Sequence, residues 1–405
     1  MTSLLSRATE SHATPDTNPD APSAHSHDWH RFEGVDLLRG LAIFFVLMNH
    51  VHMRLALAHI HYASVIPQQI FSALVWNGQR GVQIFFAVSG FLITSTTLRR
   101  WKNLSQVRIR DFYLLRFARI APLLLLLLTV LSILHFARVP WFVVSPSTGG
   151  LGRALFAALT FHINWLEAHN GYLPASWDIL WSLSVEEAFY LFFPLVCRIF
   201  GRGKFLLVFL SVFIFLGPFA RTTLAHHNEV WQEVSYLGGM DAIALGCLTA
   251  ILLPKLQLAR RNPLLLEAIG IAMMIAILCL RVDALSRAGL DMTVLAIATC
   301  MIIAGVTQTR PKLPTIFQPI LWLGQRSYEI YLTHMFVVLA SFALFLALGK
   351  PAWLIPVMFV CVIIFAGILG EIVARYFSEP MNHYLRERSG VGRKKLGREI
   401  TDSGQ

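Results

Sequence analysis

Apolar residues run in long stretches along this chain, separated by short polar segments that hold most of the charge. The runs fall at about 37–57, 70–97, 113–137, 177–198, 205–222, 237–254, 264–281, 289–306, 319–347 and 353–374. A helix rises about 1.5 Å per residue, so about 20 apolar residues cross a hydrocarbon layer, and the pattern predicts ten transmembrane helices. A further run at about 153–166 is too short to cross and is expected to be re-entrant or interfacial. The predicted fold is therefore all-α, a polytopic membrane bundle. Lipid-facing backbone must satisfy its own hydrogen bonds, which a helix does.

Composition sharpens this picture. Of 405 residues, 56% are hydrophobic and only 14% charged, against about 25% charged in a soluble domain. A net charge of +11 would raise the question of nucleic acid in a soluble protein. Here the basic residues sit in the segments between spans instead. With ten spans and the N-terminus inside, 25 of the 34 Lys and Arg residues lie on the inner side. Counting 153–166 as a span would push the basic segment 198–204 outside, so the positive-inside rule predicts ten spans with both termini cytoplasmic.

Three regions follow. Residues 1–35 form a polar leader rich in Pro, Ser, Ala and His, without the apolar stretch of a secretory signal, and are expected to be a disordered cytoplasmic tail. Its His12, His25, His27 and His30 are read as solvated rather than metal-binding, and no metal is expected. Residues 36–375 form the membrane domain, and 376–405 a basic cytoplasmic tail. Cys197, Cys247, Cys279, Cys300 and Cys361 lie within or at the ends of apolar runs with no C-x-x-C pair, as packed free thiols do.

Ionisable side chains inside apolar spans cost several kcal/mol, so each is a candidate for function. The first span, GVDLLRGLAIFFVLMNH, places Arg39 and His50 eleven residues apart, nearly on one face and about 16 Å apart along the axis. An imidazole there can accept and return a proton near neutral pH. The structural alternative is an Arg39–Asp36 pair at the interface and a histidine that only ties helices. In the third span Arg116 and Arg119 share a face, and paired guanidiniums suit phosphates, although positive-inside anchoring would also place them there.

The segment WDILWSLSVEEAFYLFFPL puts Ser182, Glu186 and Tyr190 on one face, with Glu187 beside Ser184 on the next. An ion pair from a glutamate to another helix is the structural alternative. Within 319–347, Ser327, Tyr331 and His334 line one face, as catalytic groups or as interhelical hydrogen bonds.

R-x10-H in the first span, R-x-x-R followed by I-x-P, WSLSVEE-x-FY, and S-Y-x-x-Y-L-x-H occur in this order. Together they resemble the acyltransferase-3 family of bacterial integral-membrane acyltransferases, over about 34–375. Members O-acylate carbohydrates or other hydroxylated molecules, among them lipid-linked glycans, exopolysaccharides of the O-antigen kind, and antibiotics. The resemblance implies that Arg39 and His50 match the family's arginine and essential histidine. It implies that Arg116 and Arg119 engage an acyl-CoA donor, acetyl-CoA being expected, from the cytoplasm. Glu186 and Glu187 match its W-S-L-S-x-E-E element, and Tyr331 and His334 its late tyrosine–histidine element. Ala188 departs from the family's frequent glutamine. Some members carry a fused extracytoplasmic domain, and this chain is expected to lack one.

The expected function is therefore transfer of an acyl group from cytoplasmic acyl-CoA to a hydroxyl of a carbohydrate or glycolipid, in the bacterial inner membrane. His50 is expected to be the general base and Glu186 to orient it, with Arg39 supporting the donor. Asp36, Ser182, Ser184, Glu187, Tyr190, Ser327, Tyr331 and His334 are expected to support the site or the acceptor. The rival reading is a proton-coupled secondary transporter of a sugar or organic acid, since intramembrane His, Glu and Arg suit proton coupling. Inverted-repeat hydropathy and interrupted paired helices, which that reading calls for, are missing from the sequence. A receptor or scaffold would leave the arginine pair and buried glutamates without a purpose.

Overall fold

The computed structural model describes residues 32–390 except 63–66, 203, 225–227, 281 and the side chain at 258. The expected leader lies outside the described residues up to position 31, with its four histidines. So do the last fifteen residues of the expected tail. The described residues form helices and turns with no strand.

Among the described residues, nine helical segments are long and apolar enough to cross a membrane, and a tenth apolar helix is shorter. The protein is thus a multi-pass membrane protein. The helices that matter here are α1 (Glu33–Leu57), α2 (Gly78–Trp101), α3 (Ile109–Phe136), α4 (Leu180–Phe200) and α5 (Phe205–Phe219). After them come α6 (Tyr236–Leu252), α7 (Pro263–Cys279), α8 (Asp291–Thr309), α9 (Ser327–Ala347) and α10 (Leu354–Val373). The run at 264–281 yields only the 17 residues of α7. The run at 153–166 splits into two short helices, Gly150–Leu159 and Ile163–Asn170.

Two apolar runs that read as continuous are broken. The run at 70–97 divides into Gln68–Val75 and α2, with Asn77 buried at the joint. The Asn77 amide donates to the Ala73 carbonyl at 2.6 Å and the Leu278 carbonyl at 3.0 Å, satisfying backbone that the interruption would leave bare. The run at 319–347 divides into Gln318–Gln325 and α9 at Arg326. That guanidinium bonds Glu371 at 2.7 Å and also Glu379, which holds the break in place.

Helices α1 and α2 sit at the centre, α1 against α2, α9 and Gln318–Gln325, and α2 against α1, α6 and α8. Glycine permits the closest crossings. A Cβ at Gly90 would meet the Ile243 carbonyl, and one at Gly246 the Ala87 carbonyl, so α2 and α6 approach backbone to backbone. Gly40 of α1 and Gly324 make the same kind of crossing. Large apolar side chains such as Phe192, Phe215 and Ile364 project outward, as a lipid-facing surface requires. The helix Glu379–Arg388, within the expected tail, folds back against α3.

Candidate functional site

The polar residues singled out in the spans converge between α1, α2, α3, α4 and α9. At the arginine-rich end, Arg116 of α3 pairs with Glu187 of α4 at 2.6 Å, and its guanidinium lies over the Tyr190 ring, 4.1 Å from the centroid. Both contacts hold the planar fork flat between two helices. Arg119, one turn on, lies 3.3 Å from Glu329 of α9 and stacks on Tyr328. The Tyr328 hydroxyl donates to the Ile120 carbonyl at 3.0 Å, so α3 and α9 are clasped twice. Arg39 pairs with Asp36 at 3.1 Å. Arg386, from Glu379–Arg388, reaches electrostatic range of Arg119 and Arg100.

One turn inward, Glu186 sits beside Ser89 of α2, with Arg116, Glu187 and Arg39 in electrostatic range. The Tyr190 hydroxyl donates to Ser89 Oγ at 2.6 Å. Ser89 is thus the hinge between both residues of the α4 stripe and α2. Sequence reasoning passed over it, because a lone serine in an apolar run is ordinary.

The centre holds two histidines from helices far apart in sequence. His50 Nδ1 lies 2.8 Å from the Val46 carbonyl and 3.4 Å from His334 Nε2, with ring centroids 4.9 Å apart. A carbonyl can only accept, so Nδ1 of His50 carries the hydrogen and Nε2 presents a lone pair. His334 Nδ1 faces the Tyr331 carbonyl at 2.7 Å and is protonated by the same logic, which leaves its Nε2 as an acceptor toward His50. His50 Nε2 makes no hydrogen bond to any described residue and is not sealed from solvent. The pair is therefore polarised in one direction, with an open basic nitrogen on His50 and an acceptor behind it.

Sequence spacing assigned that supporting place to Glu186. The geometry puts His334 there, while Glu186 faces Ser89 and the arginines. Tyr331 of the same stripe exchanges a 2.6 Å hydrogen bond with Ser182 and donates to the Ile179 carbonyl at 3.0 Å, where α4 begins. Ser184 turns away and donates to the Leu180 carbonyl at 3.0 Å. Ser327 is buried at the start of α9.

Beyond His50, Arg54 lies one turn further along α1, and Asp178 lies one turn before Ser182. Together these side chains mark a polar lane from Arg116, against Glu187 and Tyr190 of α4, to Asp178 at the end of the short helix Ala175–Asp178 that precedes α4. A second polar cluster has a structural role. Asp241 of α6 accepts from Arg221 at 2.9 Å, Thr293 at 2.6 Å and Gln83 at 3.0 Å, which closes its hydrogen bonding.

With this geometry in view, comparison with known proteins decides the family. A family model described as an acyltransferase domain matches residues 32–374. The chain belongs to the acyltransferase-3 family. Among relatives, it is 27% identical over 330 residues to a peptidoglycan O-acetyltransferase, OatA, of Listeria monocytogenes, covering 74% of this chain and 48% of the relative. It is 25% identical to a putative O-acetyltransferase of Staphylococcus aureus (strain COL), covering 75% of this chain and 50% of that protein. An O-acetyltransferase OatA of Staphylococcus aureus (strain NCTC 8325 / PS 47) is 23% identical, covering 86% and 57%. The chain spans about half the length of these relatives. No solved structure matches.

Proposed function

We propose that this protein is a membrane O-acyltransferase that moves an acyl group, acetyl in the first instance, from acyl-CoA to a hydroxyl of a carbohydrate or glycolipid. In this reading the arginine-rich end faces the cytoplasm of a bacterial inner membrane. Ten helices cross, and both termini lie inside, with the shorter α7 counted as the tenth. The observation that carries the reading is the His50–His334 pair, with His50 Nε2 open at the middle of a lane that begins among arginines.

The donor set fits the phosphates of acyl-CoA. Arg116 Nε and Arg386 Nε are buried without hydrogen-bond partners, and Arg119 and Arg100 lie near Arg386. Unused guanidinium donors in a partly dry site are complementary to phosphate oxygens. His50 Nε2 takes the proton of the attacking hydroxyl as the new ester bond forms, then gives it to the sulfur as the thioester bond breaks. While His50 is cationic, its Nδ1–H is held by the Val46 carbonyl and shared with His334 Nε2, which spreads the charge. Glu186 and Glu187 balance the arginines and hold Arg116 in place. The relatives named O-acetyltransferases agree with this chemistry, and the family assignment does not favour the transporter alternative. The breaks at Asn77 and Arg326 do supply interrupted helices, which the apolar pattern of the sequence lacks.

The test is transfer of label from radioactive acetyl-CoA in inverted membrane vesicles. Wild type is expected to place label in a membrane or surface glycan, whereas His50→Ala is expected to place none. Label transfer undiminished in His50→Ala removes the general base and with it this mechanism. Solute uptake without transfer removes the enzymatic reading.

A further inference from the structure

The Arg54 guanidinium is partly buried one turn past His50, yet it makes no hydrogen bond or ion pair to any described residue, and its Nε is occluded. The occluded Nε is costly to leave unpaired, while the two terminal nitrogens remain accessible to a ligand. Asp178 faces it across the lane, near enough for electrostatic interaction but without closing an ion pair.

Glu167, fully buried, lies beside Asp178 and accepts the Leu173 N–H at 3.1 Å on Oε1, which leaves its buried Oε2 turned to no other partner. Burial, with the Asp178 carboxylate beside it, pushes the Glu167 carboxyl well above the usual range. The protonated form of Glu167 is thereby favoured beside Asp178. Tyr172, whose hydroxyl donates to Glu233 at 2.7 Å, stands in electrostatic range of the same pair and supplies an aromatic edge.

A gap with N–H donors on one side and a carboxylate on the other selects a particular group. An anion is repelled by Asp178 and Glu233. A hydroxyl can donate to the carboxylate and accept from the guanidinium at once. We propose that Arg54 and Asp178 form the acceptor subsite and grip one hydroxyl of a neutral polyol while a neighbouring hydroxyl is presented to His50 Nε2. The substrate class is a carbohydrate with adjacent free hydroxyls, and the selectivity is for diols over simple alcohols. This rests on the acyl-transfer reading.

The experiment uses the full chain in lipid vesicles with acetyl-CoA, and glycerol, chitotetraose and 1-propanol as competing acceptors. Wild type is expected to prefer glycerol and chitotetraose over 1-propanol. Arg54→Gln and Asp178→Asn are expected to cut that preference at least tenfold through the acceptor KM. Arg54→Lys, which keeps a donor but not the fork, is expected to fall between and serves should Arg54→Gln misfold. Equal losses for polyols and 1-propanol overturn the subsite, since they show a general catalytic or structural role. A wild type with no polyol preference overturns it as well. Failure of wild type to acetylate any acceptor sinks the acyl-transfer reading itself, a result distinct from the other two.

Discussion

The two ends of the polar lane treat their charges in opposite ways. At one end Arg116, Arg119 and Arg39 are each matched to a carboxylate at 2.6, 3.3 and 3.1 Å, so the guanidiniums are clamped before any ligand arrives. At the other end Arg54 is left open opposite Asp178, and the buried Glu167 carboxyl lies beside Asp178. The difference separates two tasks. A large anionic donor is best met by a rigid comb of forks, because flexible arginines would lose entropy on binding. On the proposed reading a small neutral acceptor is better met by an unpaired guanidinium and a carboxylate that are free to bind it together.

The largest expected break comes between the ends. His50→Ala is expected to lower acyl transfer by about 10²–10⁴-fold while leaving the folded bundle intact. Label transfer together with a thermal melt in detergent checks both halves of that statement. Next is the clamped end. Arg116→Ala strands Glu187 in a partly buried position and is expected to cost about 3–5 kcal/mol of stability. Adding Glu187→Ala is expected to restore much of that stability without restoring the acetyl-CoA KM. Recovery of both would show that the pair is merely structural.

A smaller effect is expected at the pair of rings. His334→Gln still offers an acceptor to His50 Nδ1, whereas His334→Leu does not. The leucine variant is expected to lose at least about tenfold in kcat with KM little altered, and the glutamine variant less. A kinetic titration of both variants decides it.

The smallest effect sits at the open end. Glu167 is held protonated in the fold, above the ordinary value of 4.5 that applies when unfolded. The folded state then binds more protons, so its contribution to stability is full below the unfolded value and declines as pH rises toward the folded one. Asp178 and Tyr172 are its titratable neighbours, and Glu233 and Arg54 act on Asp178 in turn. Glu167→Gln is expected to flatten this part of the pH dependence, measured by melting between about pH 5 and 8. An unchanged slope would place the proton elsewhere.

Much of the site was legible in the chain. The spacing of Arg39 to His50, of Arg116 to Arg119, and of Ser182, Glu186 and Tyr190 is set by helix geometry, and the structure keeps each on its helix as expected. The breaks at Asn77 and Arg326 were not read from the sequence, although each lies in a short polar cluster, at 77–80 and 325–327, because the apolar residues on either side are long enough together to read as one run. Ser89 and Arg54 were also passed over. Ser89 is an ordinary residue in an apolar run, and Arg54 sits near the end of its run, where a basic residue reads as an anchor. Their partners Tyr190 and Asp178 lie more than a hundred residues away.

What the sequence by itself determined is the membrane bundle, its apolar runs, and the family to which the chemistry-bearing residues point. These depend on the cost of hydrocarbon burial and on the helical repeat, both of which are local. Only the tertiary structure decided that His334 rather than Glu186 backs His50, that Glu187 holds Arg116, and that Arg54 stands open before Asp178. Those facts depend on which helices touch and how far they rotate about their axes. Tight crossings such as Gly90 and Gly246 on α2 and α6 settle that, and no single helix carries the information.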